Sequence, residues 1–201
     1  MNRIILASLS PFRAQILHDA GLIFTQNPAR LHEREIDLPL KKAGLLPKDR
    51  AIILAQAKAV EVSERHDDDW VIGCDQILSI DNIVLHKVKS LEDARTRLFY
   101  LSGKTHILYS AVVIARSGEK RWQYVSTSFM TMRHLSPQFI GNYLSLVGPE
   151  VLSSVGVYQI EGLGLQLFSD IRGDMFSIIG LPLLPLLEKL KSLNLIDDEV
   201  H

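Results

Sequence analysis

The 201-residue chain has one cysteine, Cys74, and a single thiol excludes an internal disulfide and a cysteine-based zinc site. It has no excess of either charge: 22 Lys+Arg stand against 23 Asp+Glu, a formal net charge of -1. Without a bulk basic field, no nucleic-acid partner is expected, and a phosphate-bearing ligand would need a local cluster of cations. It has no long apolar run. The longest, Ile178 to Leu187, is interrupted by glycine and proline and is too short to cross a bilayer. The apolar stretch near the N-terminus, Ile4 to Ala7 in Met1-Asn2-Arg3-Ile4-Ile5-Leu6-Ala7-Ser8, is shorter than a signal peptide requires. These absences predict a soluble, reduced, cytoplasmic protein with no membrane partner. Two catalytic motifs are missing as well: the P-loop Gly-x-x-x-x-Gly-Lys-Ser/Thr and the nucleophile elbow Gly-x-Ser-x-Gly. Gly162-Leu163-Gly164 lacks the third glycine of a dinucleotide fingerprint and reads as a hairpin turn.

What is present is a globular balance, 47% apolar and 22% charged. The length fits one domain over residues 1–201. Ile4–Ala7 reads as a buried strand. Ser10 then serves as N-cap and Pro11 as first residue of a helix to about Ala20. Residues 25–48 are polar and dotted with proline, and read as irregular. A second helix covers about Asp49–Arg65, with Ile52, Ala55, Ala59 and Val62 at helical spacing. Asp67-Asp68-Asp69 reads as a solvated turn. Val71–Ile80 reads as a strand interrupted by Gly73 and Asp75. Ser90-Leu91-Glu92-Asp93 resembles a capping box and opens a helix through about Tyr100. His106–Ala115 and Ser126–His134 read as long strands, and Ser136-Pro137 starts a helix to about Leu146. Strands are predicted near Val155–Ile160 and Leu165–Ile171, before a last amphipathic helix bearing Leu183, Leu186, Leu187, Leu190 and Leu193. Strands interspersed with helices in this order predict an α/β domain with a mixed sheet.

Three features point to chemistry. Asp75 sits among Val71, Ile72, Ile77 and Leu78, where an ionised carboxylate is costly unless it is paired, bound to metal, or at a cleft edge. By itself it also reads as a strand-end residue capping a turn. The loop Ser8-Leu9-Ser10-Pro11-Phe12-Arg13 leads from a strand into a helix N-terminus, where free N–H groups and the positive dipole end suit an anion. Arg13 adds a fork of donors there, against the helix dipole. Lys58, beside the apolar face of the second helix, and Lys87 supply further positive charge. Each reads equally as a lysine extended along the surface. His86 and His106 lack metal-ligand spacing and read as structural.

These segments resemble the Maf family. Leu6-Ala7-Ser8-Leu9-Ser10-Pro11-Phe12-Arg13 matches its opening motif. The resemblance continues through Leu54-Ala55-Gln56-Ala57-Lys58-Ala59, Val71-Ile72-Gly73-Cys74-Asp75-Gln76, Gly103-Lys104-Thr105-His106 and Gly180-Leu181-Pro182-Leu183, so it covers nearly the whole chain. It implies a nucleoside triphosphate pyrophosphatase, cutting between the α and β phosphates with a divalent metal, Mg²⁺ or Mn²⁺. The fold implied is a twisted mixed sheet flanked by helices, with two lobes around a cleft, similar to the inosine triphosphatase fold. A homodimer is implied too, and the family is also tied to inhibition of septum formation. By the resemblance, Asp75 matches the proton acceptor and Glu33 the second acidic residue; oxygen ligands suit Mg²⁺, so Asp75 with Glu33 could hold the metal, and the sequence leaves open which of the two binds metal and which takes the proton. Lys87 joins Asp75 and Glu33 in catalysis, while Ser10, Arg13 and Lys58 bind phosphate. Val88 stands where the family usually has proline. The thymidine/uridine triphosphate branch carries Asp-Lys-Ala-Gly-Ala-Tyr where this chain has Ser153-Ser154-Val155-Gly156-Val157-Tyr158. Phe12, Gln76 and Glu161 also depart from that branch and resemble the 7-methyl-GTP pyrophosphatase branch, which marks these three as base-specificity residues. A thymidine/uridine or broad triphosphate pyrophosphatase is the alternative enzyme, and a nucleotide-binding regulator of cell division the alternative of another class.

Overall fold

The computed structural model describes residues 3–196; residues 1, 2 and 197–201 lie outside it, among them Met1 and Asn2 of the N-terminal stretch read above. Ile4, Ile5 and Leu6 form β1 (Ile4–Leu6), buried throughout. It runs between two parallel partners, β2 (Thr25–Gln26) and β3 (Trp70–Ile80), and a strand in that position needs apolar side chains on both faces. β3 then takes antiparallel partners, β4 (Ile83–Leu85) on one edge and β5 (Thr105–Arg116) on the other. With β6 (Glu119–Met132) and β7 (Phe168–Arg172), the result is a mixed open sheet of seven strands, ordered β2-β1-β3-β5-β6-β7 with β4 beside β3. Among the described residues, seven helices flank it: α1 (Pro11–Asp19), α2 (Glu33–Lys42), α3 (Pro47–Glu64), α4 (Leu91–Leu101), α5 (Pro137–Val147), α6 (Met175–Ile179) and α7 (Leu183–Ser192). This is the α/β class that the order of strands and helices predicts. None of the described helices is long and apolar enough to cross a membrane.

The predicted caps form. Ser10, Ser90 and Ser136 each accept a hydrogen bond from the backbone N–H three residues on, of Arg13, Asp93 and Phe139. Each such cap satisfies a donor that the helix itself leaves free and contributes about 1 kcal/mol.

The packing of α3 on the sheet matters most for the site. Ala51, Ala55 and Ala59 on α3 are buried against Val71, Ile77, Ala111 and Val113. Small residues on the helix let it lie close to the strands. Gly73 completes the fit, because a Cβ there would run into the Ala55 carbonyl oxygen and stand 2.7 Å from Ala59 Cβ.

Several expectations need correction. Residues 25–48 are not irregular, since they contain β2 and α2. α2 fully buries none of its residues, with Ile36 only partly buried against the α3 side of the core, and Pro39 lies inside it. What fixes it is a fork from Arg50 to both carboxylate oxygens of Asp37, at 2.8 and 2.6 Å. β3 is uninterrupted through Gly73 and Asp75. β6 begins at Glu119, ahead of the expected start, because Ser117 and Gly118 both take positive φ (52° and 74°) and close a two-residue hairpin. Val155–Ile160 is no strand. Val157 has φ 63°, and the Tyr158 ring folds back over Gly156, where any Cβ would strike it. Gly162 to Gly164 opens a 3₁₀ turn over Leu163–Leu167 instead of a hairpin, and the strand starts at Phe168.

Candidate active site

One edge of β3 is paired in two pieces. Trp70, Val71 and Ile72 pair with β1, and Leu78, Ser79 and Ile80 pair with β4. Between them, residues 73–77 have no strand on that side. Crevices of this kind, where neighbouring chain segments part at the end of a parallel strand, are where α/β sheets hold ligands. The chain after β1 borders the gap: the Ala7 N–H donates to the Ile72 carbonyl at 2.8 Å, and Ser8 to Ser10 then turn into α1.

All nine residues singled out from the sequence line two pockets that share walls at this gap. The larger, about 1110 Å³, is lined by Ser10, Arg13, Glu33, Lys58, Asp75 and Lys87, together with Phe12 and Gln76. The smaller, about 170 Å³, shares Ser10, Phe12, Arg13, Gln76 and Lys87, and adds Glu161.

Asp75 and Gln76 are neighbours on β3 and so face opposite sides of the sheet. Asp75 faces α3. There the Lys58 ammonium donates to Asp75 Oδ1 at 2.8 Å and also lies 2.8 Å from Glu33 Oε1. Lys58 and Asp75 side chains are 12% and 9% exposed, whereas Glu33 is 58% exposed, so the charge chain runs from the interior to the pocket mouth. Burial works against the Lys58 charge, but Asp75 and Glu33 together outweigh it and hold the ammonium above the ordinary lysine value. At Asp75 burial dominates. It pushes the carboxyl above the usual aspartate value despite the opposing pull of Lys58 and Arg13. A buried carboxylate held this way is a stronger base than an exposed one.

Arg13 is fastened by three hydrogen bonds. Its Nε donates to the Gly180 carbonyl at 2.9 Å, and its Nη1 donates to Ser8 Oγ at 3.2 Å and the Cys74 carbonyl at 3.3 Å. The last bond uses the free edge of β3. Nη2 has no hydrogen-bond partner among the described residues, which leaves it for a ligand. Lys87 likewise has no ion-pair partner among the described residues, although it lines both pockets. The Cys74 thiol is pushed up to about 11 by burial, so it stays protonated and offers no nucleophile.

The Maf family model, described as Maf-like protein, matches residues 3–193. The chain belongs to the Maf family. It is 53% identical over 196 residues to a protein of Mesorhizobium japonicum named 7-methyl-GTP pyrophosphatase, covering 98% of each chain. It is 51% identical over 195 residues to one of the same name from Brucella abortus, covering 97% of this chain and 98% of the relative. One from Bartonella quintana, again of that name, is 52% identical over 197 residues, with 98% of each chain covered. The order of motifs read in the sequence therefore reflects membership in the Maf family along the described fold.

Some participants escaped the sequence reading. Ser8 was seen only as part of the loop, and the Gly180 carbonyl cannot be read from any side-chain pattern, yet both hold Arg13. Ser110, buried on β5, bonds Gln76. Its signal was available: a serine inside the apolar strand His106–Ala115, opposite Gln76 in the β3–β5 register.

Proposed function

We propose that this Maf protein hydrolyses nucleoside triphosphates to the monophosphate and pyrophosphate, and that 7-methyl-GTP is its substrate. The observation that carries the reading is full-length identity near one half to proteins named for that activity, in a chain whose cations and buried carboxylate converge on one gap in the sheet.

In this reading the triphosphate lies against Ser10 and the start of α1, with Arg13 Nη2 and Lys87 facing it. Their charge matches the negative charge that grows on the leaving pyrophosphate as the bond from the α phosphorus to the bridging oxygen breaks. Asp75 takes the proton of the attacking water. Lys58 holds Oδ1, so Oδ2 is the oxygen left to act. Glu33 and Asp75 are the residues that would hold a divalent cation, Mg²⁺ or Mn²⁺. Their oxygens suit a hard ion; with Asp75 Oδ1 and Glu33 Oε1 on the Lys58 ammonium, an ion would take Asp75 Oδ2 or the second Glu33 oxygen, and only a Glu33-held ion leaves Oδ2 free for the proton. Among the described residues no third His, Cys, Asp or Glu joins them, so phosphate oxygens and water would complete the shell. Such an ion, when bound, adds positive charge at the phosphate oxygens.

The smaller pocket takes the base. Methylation at N7 makes guanine a cation, which the Phe12 face attracts. Guanine also offers two adjacent donors, N1–H and the 2-amino group, which one carboxylate such as Glu161 accepts together.

The test is pyrophosphate release from a panel of triphosphates with Mg²⁺ or Mn²⁺ added. 7-Methyl-GTP is expected to be the best substrate. Asp75→Asn should lower turnover at least about a hundredfold while the protein stays folded. Glu161→Gln should depress 7-methyl-GTP turnover far more than that of a pyrimidine triphosphate. Preference of the wild type for thymidine or uridine triphosphate would sink the substrate assignment. Binding of every nucleotide without turnover would make the chain a regulator instead.

A further inference from the structure

Gln76 is the residue on β3 that faces away from Asp75, toward α6. α6 has five residues, and its last carbonyls have no turn of their own helix to bond. The N–H groups of Gly180 and Leu181 both return to the Phe176 carbonyl, leaving those of Ser177 and Ile178 to find donors elsewhere. Gln76 supplies them: its Nε2 lies 3.1 Å from the Ser177 carbonyl oxygen and 2.9 Å from that of Ile178. Ser110, paired with Gln76 across the β3–β5 ladder, is the third neighbour, with Oγ at 2.9 Å from Nε2. The Ser110 hydroxyl hydrogen is already given to the Ser177 carbonyl at 2.6 Å, so Oγ can only accept from Gln76.

Three acceptors therefore surround one end of the Gln76 amide. Rotating the amide by half a turn would set its carbonyl oxygen against two backbone carbonyls and leave the Ile178 carbonyl without a donor, a costly arrangement in a half-buried site. The nitrogen is thus fixed toward α6. Oε1 is held at the other end and has no partner among the described residues, while the side chain lines both pockets.

We propose that Ser110 is a positioning residue for base recognition, which with the Ser177 and Ile178 carbonyls locks Gln76 so that Oε1 is presented to the base as an acceptor. This rests on the reading of the smaller pocket as the base site. Its consequence is that Gln76 and Glu161, two of the polar side chains lining the smaller pocket, both ask for donors there. Guanine and 7-methylguanine carry N1–H and the 2-amino group side by side, and the N7 charge makes N1–H a stronger donor. Uracil and thymine offer a single N3–H between two carbonyl oxygens, which would face the acceptors. The same end of α6 also anchors the phosphate side, through the Arg13 bond to the Gly180 carbonyl, so base and phosphate contacts share one support.

The experiment compares 7-methyl-GTP with UTP in wild type and Ser110→Ala. One lost hydrogen bond of this kind predicts that kcat/KM for 7-methyl-GTP falls about tenfold, mostly through KM, while UTP turnover and melting temperature hold. An equal loss on both substrates, or an unchanged ratio in folded Ser110→Ala, overturns the proposal. A wild type that prefers UTP overturns it together with the base-site reading, which separates the two failures. A second measurement does not depend on the variant: in ¹⁵N-labelled wild type the Gln76 side-chain amide protons should exchange slowly with solvent. Fast exchange would show that the amide is not locked, and would end the idea.

Discussion

The Lys58 ammonium stands 2.8 Å from Asp75 Oδ1, although the two residues belong to different elements and both are largely withdrawn from water. A pair so placed is costly to break, because removing one partner leaves the other charged and buried. Lys58 therefore acts on Asp75 directly: its charge and hydrogen bond pull the carboxyl pKa back down against the burial that raises it.

That relation sets a pH dependence. In the proposed mechanism Asp75 must be ionised to accept a proton, and its pKa lies above the ordinary aspartate value. Turnover is thus lost as pH falls through that raised value. Lys58→Met removes the partner that lowers it, so the acidic limb of the kcat/KM profile should move to higher pH. A limb that stays put or moves down would contradict the pairing.

Arg13 is anchored through Nε and Nη1, and in the proposed function it meets phosphate through Nη2. A lysine keeps the charge but cannot bond Gly180, Ser8 and Cys74 and still face the pocket. Arg13→Lys should therefore cost about a hundredfold in kcat. Lys87→Arg, at a position without such anchors, should cost far less. Equal tolerance of both changes in steady-state kinetics would count against the anchoring.

Gly73→Ala tests the close approach of α3. The Cβ would meet backbone of α3, which cannot give way as a side-chain tip does. A loss of about 1–3 kcal/mol in denaturant unfolding is expected. Turnover should fall with it, because the helix that shifts carries Lys58. Gly162→Ala is the control. No atom lies within 4 Å of its Cβ, and stability should change by less than about 0.5 kcal/mol.

His106 is fully buried, bonds Tyr158 at 2.7 Å through Nε2, and has no partner for Nδ1 among the described residues. Burial lowers its pKa from 6.5 to about 3. The unfolded chain takes up a proton below 6.5 that the folded chain refuses until about 3. Its contribution is therefore complete above 6.5 and is lost as pH falls toward 3, by about 2 kcal/mol at about pH 5. His106→Gln does not titrate, so the stability gap between wild type and variant should narrow on acidification. A gap that is constant in melting experiments between neutral and acidic pH would refute this.

Features that rest on contacts within a few residues or on a periodic pattern are legible in the amino-acid string. Ser10, Ser90 and Ser136 cap helices because each reaches an N–H three positions on, and three-residue spacing is legible in a string of letters. Asp75 stood out because a carboxylate amid apolar strand residues needs a reason, and the linked motifs gave the family. The tertiary structure alone decided the rest. α2 fully buries no residue and is fixed by Arg50 and Lys58 from another helix, partners that its own letters do not name. The turn at Gly156 to Tyr158 follows from a ring folding back, while its letters look like a strand. The gap on β3 exists because β1 and β4 stop short of each other, and strand pairing is not written in either strand. Gln76 acquires its direction from carbonyls 101 and 102 residues away. Backbone acceptors carry no side-chain identity, so only the folded chain can say which of them a given amide will meet.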